Sequence, residues 1–290
     1  MNTQTLEELL QLAEKTVGDA GHVINTYDSK KIELNYKGKG GSLAAEVVTE
    51  VDLKIQALIE KSLAKSIHDH KLGFLGEESA DSHSRFKRDY FWVVDPIDGT
   101  LPFCEGKPGY SVSIALVCRN GVPMIGAVFD PVSGKLYSAA KGLGAFINEK
   151  KISINSKRKK HLTIYLDRSS YNENLYQEAI DLIVSKCRAL GFDNHSVTTK
   201  GGAVMKACWL LENPPGIFFK LPKEKGGSLW DYAATACIYQ ELKLPANDIY
   251  GNSLDLNRKE STYMNHKGLV YASHRDLSEA VKNVFSELVG

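Results

Sequence analysis

The sequence contains no Cys-x-x-Cys pair. Its five cysteines, Cys104, Cys118, Cys187, Cys208 and Cys237, are odd in number and widely scattered. That usage excludes a disulfide framework or a cysteine-built zinc site and fits reduced, cytoplasmic thiols. No stretch is apolar for long enough to span a membrane. Met1 to Thr5 carry no basic region followed by an apolar run, so no secretory signal is expected. Charge of one sign is not in excess either. The formal net charge is +1 over 290 residues, which argues against a nucleic-acid polymer as the main partner. Internal repeats and low-complexity tracts are also missing. What remains is a cytosolic chain with room for one large or two modest domains.

What is present centres on Trp92-Val93-Val94-Asp95-Pro96-Ile97-Asp98-Gly99-Thr100. An apolar strand, Tyr90 to Val94, runs straight into a carboxylate. Pro96 fixes φ and lacks an N–H, so the strand is expected to stop there. Asp98 follows across a tight turn. Gly99 permits a backbone shape that other residues resist, and Thr100 adds a hydroxyl. Taken alone, these residues fit an ordinary turn. They also fit a pair of acids set for hard cations, beside N–H groups for a phosphate.

The flanking chain is α+β. Leu6, Leu9, Leu10, Ala13, Val17, Ala20 and Ile24 form a one-sided apolar stripe, and Thr5 with Glu8 suggests a capping box at its start. Tyr27 to Gly41 is basic and glycine-containing, including Lys30 to Gly41; it reads as a solvated loop or a lid. Thr49 is expected to cap a second helix, placing Asp52 in its first turn. Leu72 to Leu75 is a short strand ending in Gly76-Glu77-Glu78-Ser79. An antiparallel meander follows Thr100, with Asn120-Gly121 as a hairpin signal. Gly142-Leu143-Gly144 reads as a turn rather than a phosphate loop. The basic run Lys157 to Lys160 is the expected boundary between an N-terminal α+β domain, 1–157, and a C-terminal α/β domain, 158–290. In the second half, strands near Leu162, Ser196, Ile217 and Leu269 alternate with helices. A helix is expected to start near Trp230 with Ser228 as its cap, placing Asp231 at its third position.

Five acids thus sit at element ends: Asp52, Glu77, Asp95, Asp98 and Asp231. Each alone reads as a cap or turn residue. Mg²⁺ wants oxygen ligands and binds through a few carboxylates plus substrate phosphate. Two such ions roughly 3.5–4 Å apart stabilise the attacking and leaving oxygens of an in-line displacement. The Asp95–Asp98 stretch can supply a bridging and a terminal ligand, with the Ile97 carbonyl between them. Gly99 and Thr100 N–H groups could hold the phosphate.

Gly76-Glu77-Glu78-Ser79, then Asp95-Pro96-Ile97-Asp98-Gly99-Thr100, then Trp230-Asp231 resemble, in order and spacing, the signature blocks of the inositol monophosphatase family. These are Mg²⁺-dependent, lithium-sensitive phosphomonoesterases that include 3′(2′),5′-bisphosphate nucleotidases. The resemblance covers nearly the whole chain. It implies a layered αβαβα sandwich, usually a homodimer, with two or three Mg²⁺. Glu77, Asp95 and the Ile97 carbonyl would hold one ion. Asp95, Asp98 and Asp231 would hold the second. Thr100, with Asp52 behind it, would orient and deprotonate the attacking water, and Gly99 and Thr100 would bind phosphate.

Three departures bear on substrate. Leu101-Pro102-Phe103 follows the Asp-Gly-Thr triplet and matches neither the inositol-type nor the nucleotidase continuation. Lys200-Gly201-Gly202 stands where a small Ser- or Gly-containing motif is usual. Lys220 to Lys225 is longer and more basic than the inositol-type segment, which places an acid there; Glu224 has the right separation from Asp231. Lys220, Lys223 or Lys225 would meet a second anionic substrate group, or be solvated in a loop. His68 and His70 are expected at the surface. The expected activity is hydrolysis of a small phosphorylated metabolite, an inositol or sugar phosphate. The alternatives are a nucleotidase acting on adenosine 3′,5′-bisphosphate and a regulatory protein that kept the fold without turnover.

Overall fold

The computed structural model describes residues 1–27, 35–36, 47–48, 50–153 and 160–289. The proposed cap Thr49, nearly all of the Lys30–Gly41 loop and most of the Lys157–Lys160 boundary lie outside these.

Two helices cover one face of the first sheet. Helix α1, Thr3–Ile24, buries Leu6, Leu9, Leu10, Ala13, Val17, Ala20 and Ile24, the stripe read from sequence. Its cap is Asn2, whose side chain accepts from Thr5 N–H at 2.8 Å. The expected Thr5–Glu8 capping box is corrected: Thr5 already lies inside the helix, because Asn2 satisfies the same orphan donor three residues earlier. Helix α2, Glu50–Asp69, carries Asp52 in its first turn as expected.

Beneath them lies a seven-stranded sheet. Its strands are β3 (Gly73–Gly76), β4 (Tyr90–Asp98), β5 (Ser111–Cys118), β6 (Pro123–Asp130), β7 (Lys135–Ala140), β8 (Gly144–Ile147) and β9 (Lys150–Lys151). A separate two-residue pair, β1 (Asn35–Tyr36) and β2 (Val47–Val48), precedes it. Only β3 and β4 run parallel; the rest is the antiparallel meander. The strands are apolar on both sides because both sides are covered. Trp92, Val94, Ile114 and Ala127 point to α1 and α2. Phe91, Val93, Ala115 and Val128 point the other way.

That second face meets α6 (Ala203–Glu212) and α7 (Ala233–Glu241), which form the middle layer. A five-stranded sheet closes over them, in the order β11 (Asn194–Thr198), β10 (His161–Tyr165), β12 (Gly216–Lys220), β14 (Leu269–Ala272) and β13 (Ala246–Asn247). Phe218 and Tyr271 face inward, while Ile217, Phe219 and Val270 face out. The outward set packs on α5 (Asn174–Ala189) and α8 (Arg275–Val289). The layers are therefore α1/α2, sheet, α6/α7, sheet, α5/α8: the αβαβα sandwich. The remaining short helices are α3 (Ser84–Lys87) and α4 (Thr100–Cys104). Among the described residues no helix is long and apolar enough to cross a membrane.

Two expectations are corrected here. Strand β4 does not end at Pro96. It runs to Asp98, with the register shifting between Asp95↔Ser113 and Asp98↔Ser111. Pro96 sits inside that bulge, where no ladder N–H is required of it. Ser228 caps the element at Trp230 with Asp231 at its third position, as expected, but that element is a single 3₁₀ turn, Leu229–Asp231, and α7 begins only at Ala233.

Candidate functional site

The bulge at the end of β4 turns Asp95 and Asp98 toward one place. Asp95, Asp98 and Asp231 each offer a carboxylate oxygen, and these lie within 4.8 Å of one another. Asp231 arrives from the 3₁₀ turn that precedes α7. Its carboxylate is oriented by the Ser228 N–H, which donates to it at 2.7 Å. Glu77 comes from the neighbouring parallel strand, whose Gly76 is in register with Val94. The Glu77 N–H donates to Val94 O at 3.1 Å, extending that pairing, and its carboxyl comes close enough to Asp95 to push that group's pKa up. Buried Gln56 of α2 fixes the next residue by accepting the Glu78 N–H at 2.8 Å.

Asp98 has a second task. Helix α6 starts after Gly202, which has no side chain to cap it. Asp98, far away in sequence, accepts the N–H groups of Ala203 at 3.1 Å and Val204 at 3.0 Å. The approach is so close that a Cβ on Gly202 would lie 2.1 Å from Asp98 Oδ2. The Gly201-Gly202 departure noted in the sequence is thereby explained. Gly99 is equally constrained: its φ is +86°, and a Cβ there would meet Gly109 O at 2.7 Å. It opens the short helix α4, which begins at Thr100. Thr100 Oγ1 lies 3.3 Å from Asp52 Oδ1 and 3.2 Å from the Ile97 carbonyl oxygen, so it can donate to either. Thus Asp52, Ile97 and Thr100 meet beside the acid cluster.

The cluster is electrostatically incomplete. Burial pushes the Asp95 carboxyl far above its ordinary range, and the charges of Glu77, Asp98 and Asp231 push it further. Burial raises Asp98 to about 6, opposed by Lys206 and by the Val204 and Ala203 N–H groups. Burial, then Asp98, raises Asp231 to about 7, opposed by Lys220. Among the described residues Asp95 Oδ1, buried, has no hydrogen-bond partner. Several acids forced together with an orphaned oxygen suit a hard divalent cation, which relieves the repulsion and supplies the missing partner. The donor set is all oxygen, as Mg²⁺ requires.

Lys220 is displaced from the expected loop. It ends β12, is buried, and pairs with Asp167 Oδ2 at 2.7 Å. Lys223 and Glu224 are exposed. His68 and His70 are at the surface, as expected. Two residues escaped the sequence reading. Lys206, buried in α6, pairs with the other oxygen of Asp167 at 2.8 Å. Asp167 itself directly follows the apolar stretch Leu162 to Leu166, just as Asp95 follows Tyr90 to Val94. The strand-end signal that singled out Asp95 applied equally to Asp167.

Fold and site together define a metal-dependent hydrolase. Comparison with known proteins gives the family. The model of the inositol monophosphatase family matches residues 5–289. Inositol monophosphatase 2 of Solanum lycopersicum is 29% identical over 287 residues, 97% of this chain and 99% of that protein. Nus factor SuhB of Haemophilus influenzae is 29% identical over 236 residues, 81% of this chain and 83% of that one. A solved IMPase/NADP phosphatase, complexed with NADP and Ca²⁺, shares the fold with a TM-score of 0.75 at 21% identity, covering 96% of this chain and 95% of its own. The chain belongs to the inositol monophosphatase family, a family of phosphoric monoester hydrolases.

Proposed function

We propose that this chain hydrolyses the phosphate monoester of a small metabolite, an inositol or sugar phosphate, with Mg²⁺. The observation that carries the proposal is the convergence of Asp95, Asp98 and Asp231 from distant parts of the sequence into one buried cluster. Glu77, Asp95 and the Ile97 carbonyl would hold one ion, and Asp95, Asp98 and Asp231 the second. Bound there, the ions supply Lewis-acid stabilisation of the phosphoryl oxygens and a more acidic water.

The chain's own groups do the rest. Thr100 Oγ1 directs its proton toward Asp52 Oδ1 or Ile97 O, so its lone pairs are free to accept a hydrogen from the attacking water. As the water attacks phosphorus, its proton passes to Thr100 Oγ1 while the hydroxyl proton moves to Asp52. Gly99 and Thr100, where α4 begins, hold the phosphate through backbone N–H groups. Burial excludes bulk water from Asp52 and Asp95, which strengthens each of these interactions.

The test is phosphate release with and without Mg²⁺ in the wild type and in Asp95→Asn. Release only by the wild type with Mg²⁺ is expected; equal rates in all four conditions would overturn the proposal. Buried lysines near the cluster favour a second reading, a nucleotidase acting on adenosine 3′,5′-bisphosphate. Side-by-side turnover of that compound, inositol 1-phosphate and a sugar phosphate separates the two. The proposal includes a cytoplasmic homodimer with a domain boundary near residues 157–158. Light scattering that finds only monomer would remove the dimer.

A further inference from the structure

We propose that Asp167 determines specificity: its carboxylate fills the place a second anionic group of the substrate would take, so the site selects a neutral, hydroxyl-bearing leaving group. This rests on the phosphatase reading above and adds the residue that chooses its substrate class.

The geometry is a buried Lys–Asp–Lys bridge. Each Asp167 oxygen takes one lysine: Oδ1 to Lys206 at 2.8 Å and Oδ2 to Lys220 at 2.7 Å. The lysine side chains are 3% and 8% exposed, and Asp167 is 28% exposed. The carboxylate is therefore the face of the bridge that an arriving molecule meets. Both ammonium groups lie against the Phe218 ring, at 5.7 and 5.9 Å from its centroid. Lys220 also lies 5.5 Å from the centroid of Tyr232, the residue after Asp231. Rings and bridge together leave the two cations little freedom to swing away.

The bridge adjoins the acid cluster. Lys206 is close enough to act on Asp98, and Lys220 on both Asp98 and Asp231. The next residue, Arg168, makes a forked pair with Glu105, at 2.8 and 3.2 Å. Glu105 closes α4, the short helix that begins at Thr100. That fork ties the Asp167 segment to the C-terminal end of α4, one short helix away from Gly99 and Thr100. Asp98, the residue before Gly99, caps α6, and Lys206 of that helix holds Asp167, which puts the bridge within reach of a leaving group on a phosphate held at Gly99 and Thr100.

Two buried cations beside a phosphatase centre would otherwise form a receptor for a second phosphate. Asp167 answers them internally. It keeps spare lone pairs that accept hydroxyl hydrogens, and it occupies the ammonium hydrogens that an added anion would need. Removing it would expose two unpaired ammonium groups, which a second phosphate could then satisfy.

The experiment compares wild type, Asp167→Ser and the near-isosteric Asp167→Asn. Readouts are kcat/KM with Mg²⁺ for inositol 1-phosphate and adenosine 3′,5′-bisphosphate, and calorimetric binding of adenosine 5′-phosphate. The wild type should favour inositol 1-phosphate by at least about 10-fold. Asp167→Ser should move that ratio by about 100-fold toward the bisphosphate, chiefly through KM, and should bind adenosine 5′-phosphate about 10-fold more tightly. Asp167→Asn should move both in the same direction by less. A wild type that prefers the bisphosphate overturns the proposal. So does a folded variant whose ratio is unchanged, the outcome of a merely structural bridge. If Asp167→Ser does not fold, the wild-type ratio and Asp167→Asn decide. Absence of phosphate release from any substrate would remove the phosphatase reading instead; adenosine 5′-phosphate binding would still judge this one, supported if tighter in the variant and overturned if equal.

Discussion

The two large sheets of this molecule send opposite charge to the same place. The seven-stranded sheet delivers Asp95 and Asp98 at the end of β4 and Glu77 just beyond β3. The five-stranded sheet delivers Lys220 at the end of β12 and Asp167 just beyond β10. On the first side the carboxylates crowd one another and are held above their ordinary protonation range. On the second, one carboxylate is shared by two lysines, which hold Asp167 well below that range. One side is built to receive a cation from outside. The other has already satisfied itself. Identical devices, charged residues at strand ends, produce a binding site or a closed bridge depending on whether the partner charge is internal.

The largest expected effect breaks the first side. Asp95→Asn should lower phosphate release by on the order of 10³-fold, the scale of losing a preorganised charge-stabilising group. Because Asp95 is destabilised as an anion, the metal-free variant should melt higher than the metal-free wild type. A lower Tm would show that its charge is answered by something within the chain.

Next comes the proton path. Thr100→Ala should reduce kcat by about 10²–10⁴-fold, the usual range of general acid–base assistance, with metal affinity nearly unchanged in calorimetry. A parallel loss of metal binding would place Thr100 in the cation site rather than beside it.

Gly202→Ala tests the seam between the sides. Its Cβ would clash with Asp98 Oδ2 at 2.1 Å, so a loss of about 1–3 kcal/mol is expected in urea unfolding. Metal affinity should weaken along with it, since the same carboxylate moves.

The smallest effect is the pH dependence. Asp98 at about 6 and Asp231 at about 7 are raised above the ordinary 3.8. Between about pH 4 and 7 the folded, metal-free chain therefore holds more protons than the unfolded one. Its stability falls as pH rises through that window. Mg²⁺ competes with those protons, so its stabilising effect should grow with pH. Thermal scans at pH 5, 6 and 7.5 with and without Mg²⁺ check the sign; a metal-free Tm that rises over this range refutes the crowded-acid account.

Much of this was readable in advance, for identifiable reasons. The stripe from Leu6 to Ile24 and the alternation around Asn120-Gly121 are periodic, so local pattern located α1 and the meander. The five acids stood out because each ends an element. Pro96 misled because its local rule, no ladder N–H, holds but does not end a strand that bulges around it. The Thr5 cap misled because Asn2 competes for the same N–H. Lys206 was hidden in an apolar helix, where a single lysine carries no periodic signal. Its partner Asp167 is 39 residues away, and that distance leaves no local trace.

The sequence by itself determined which main elements form and that acids stand at or near their ends, because periodicity acts over a few residues. Only the tertiary structure decided which charges meet. It brought Asp231 to Asp98 and gave Lys206 and Lys220 to Asp167. Coulomb interactions depend on distance through space and on burial, neither of which is written in the order of the residues.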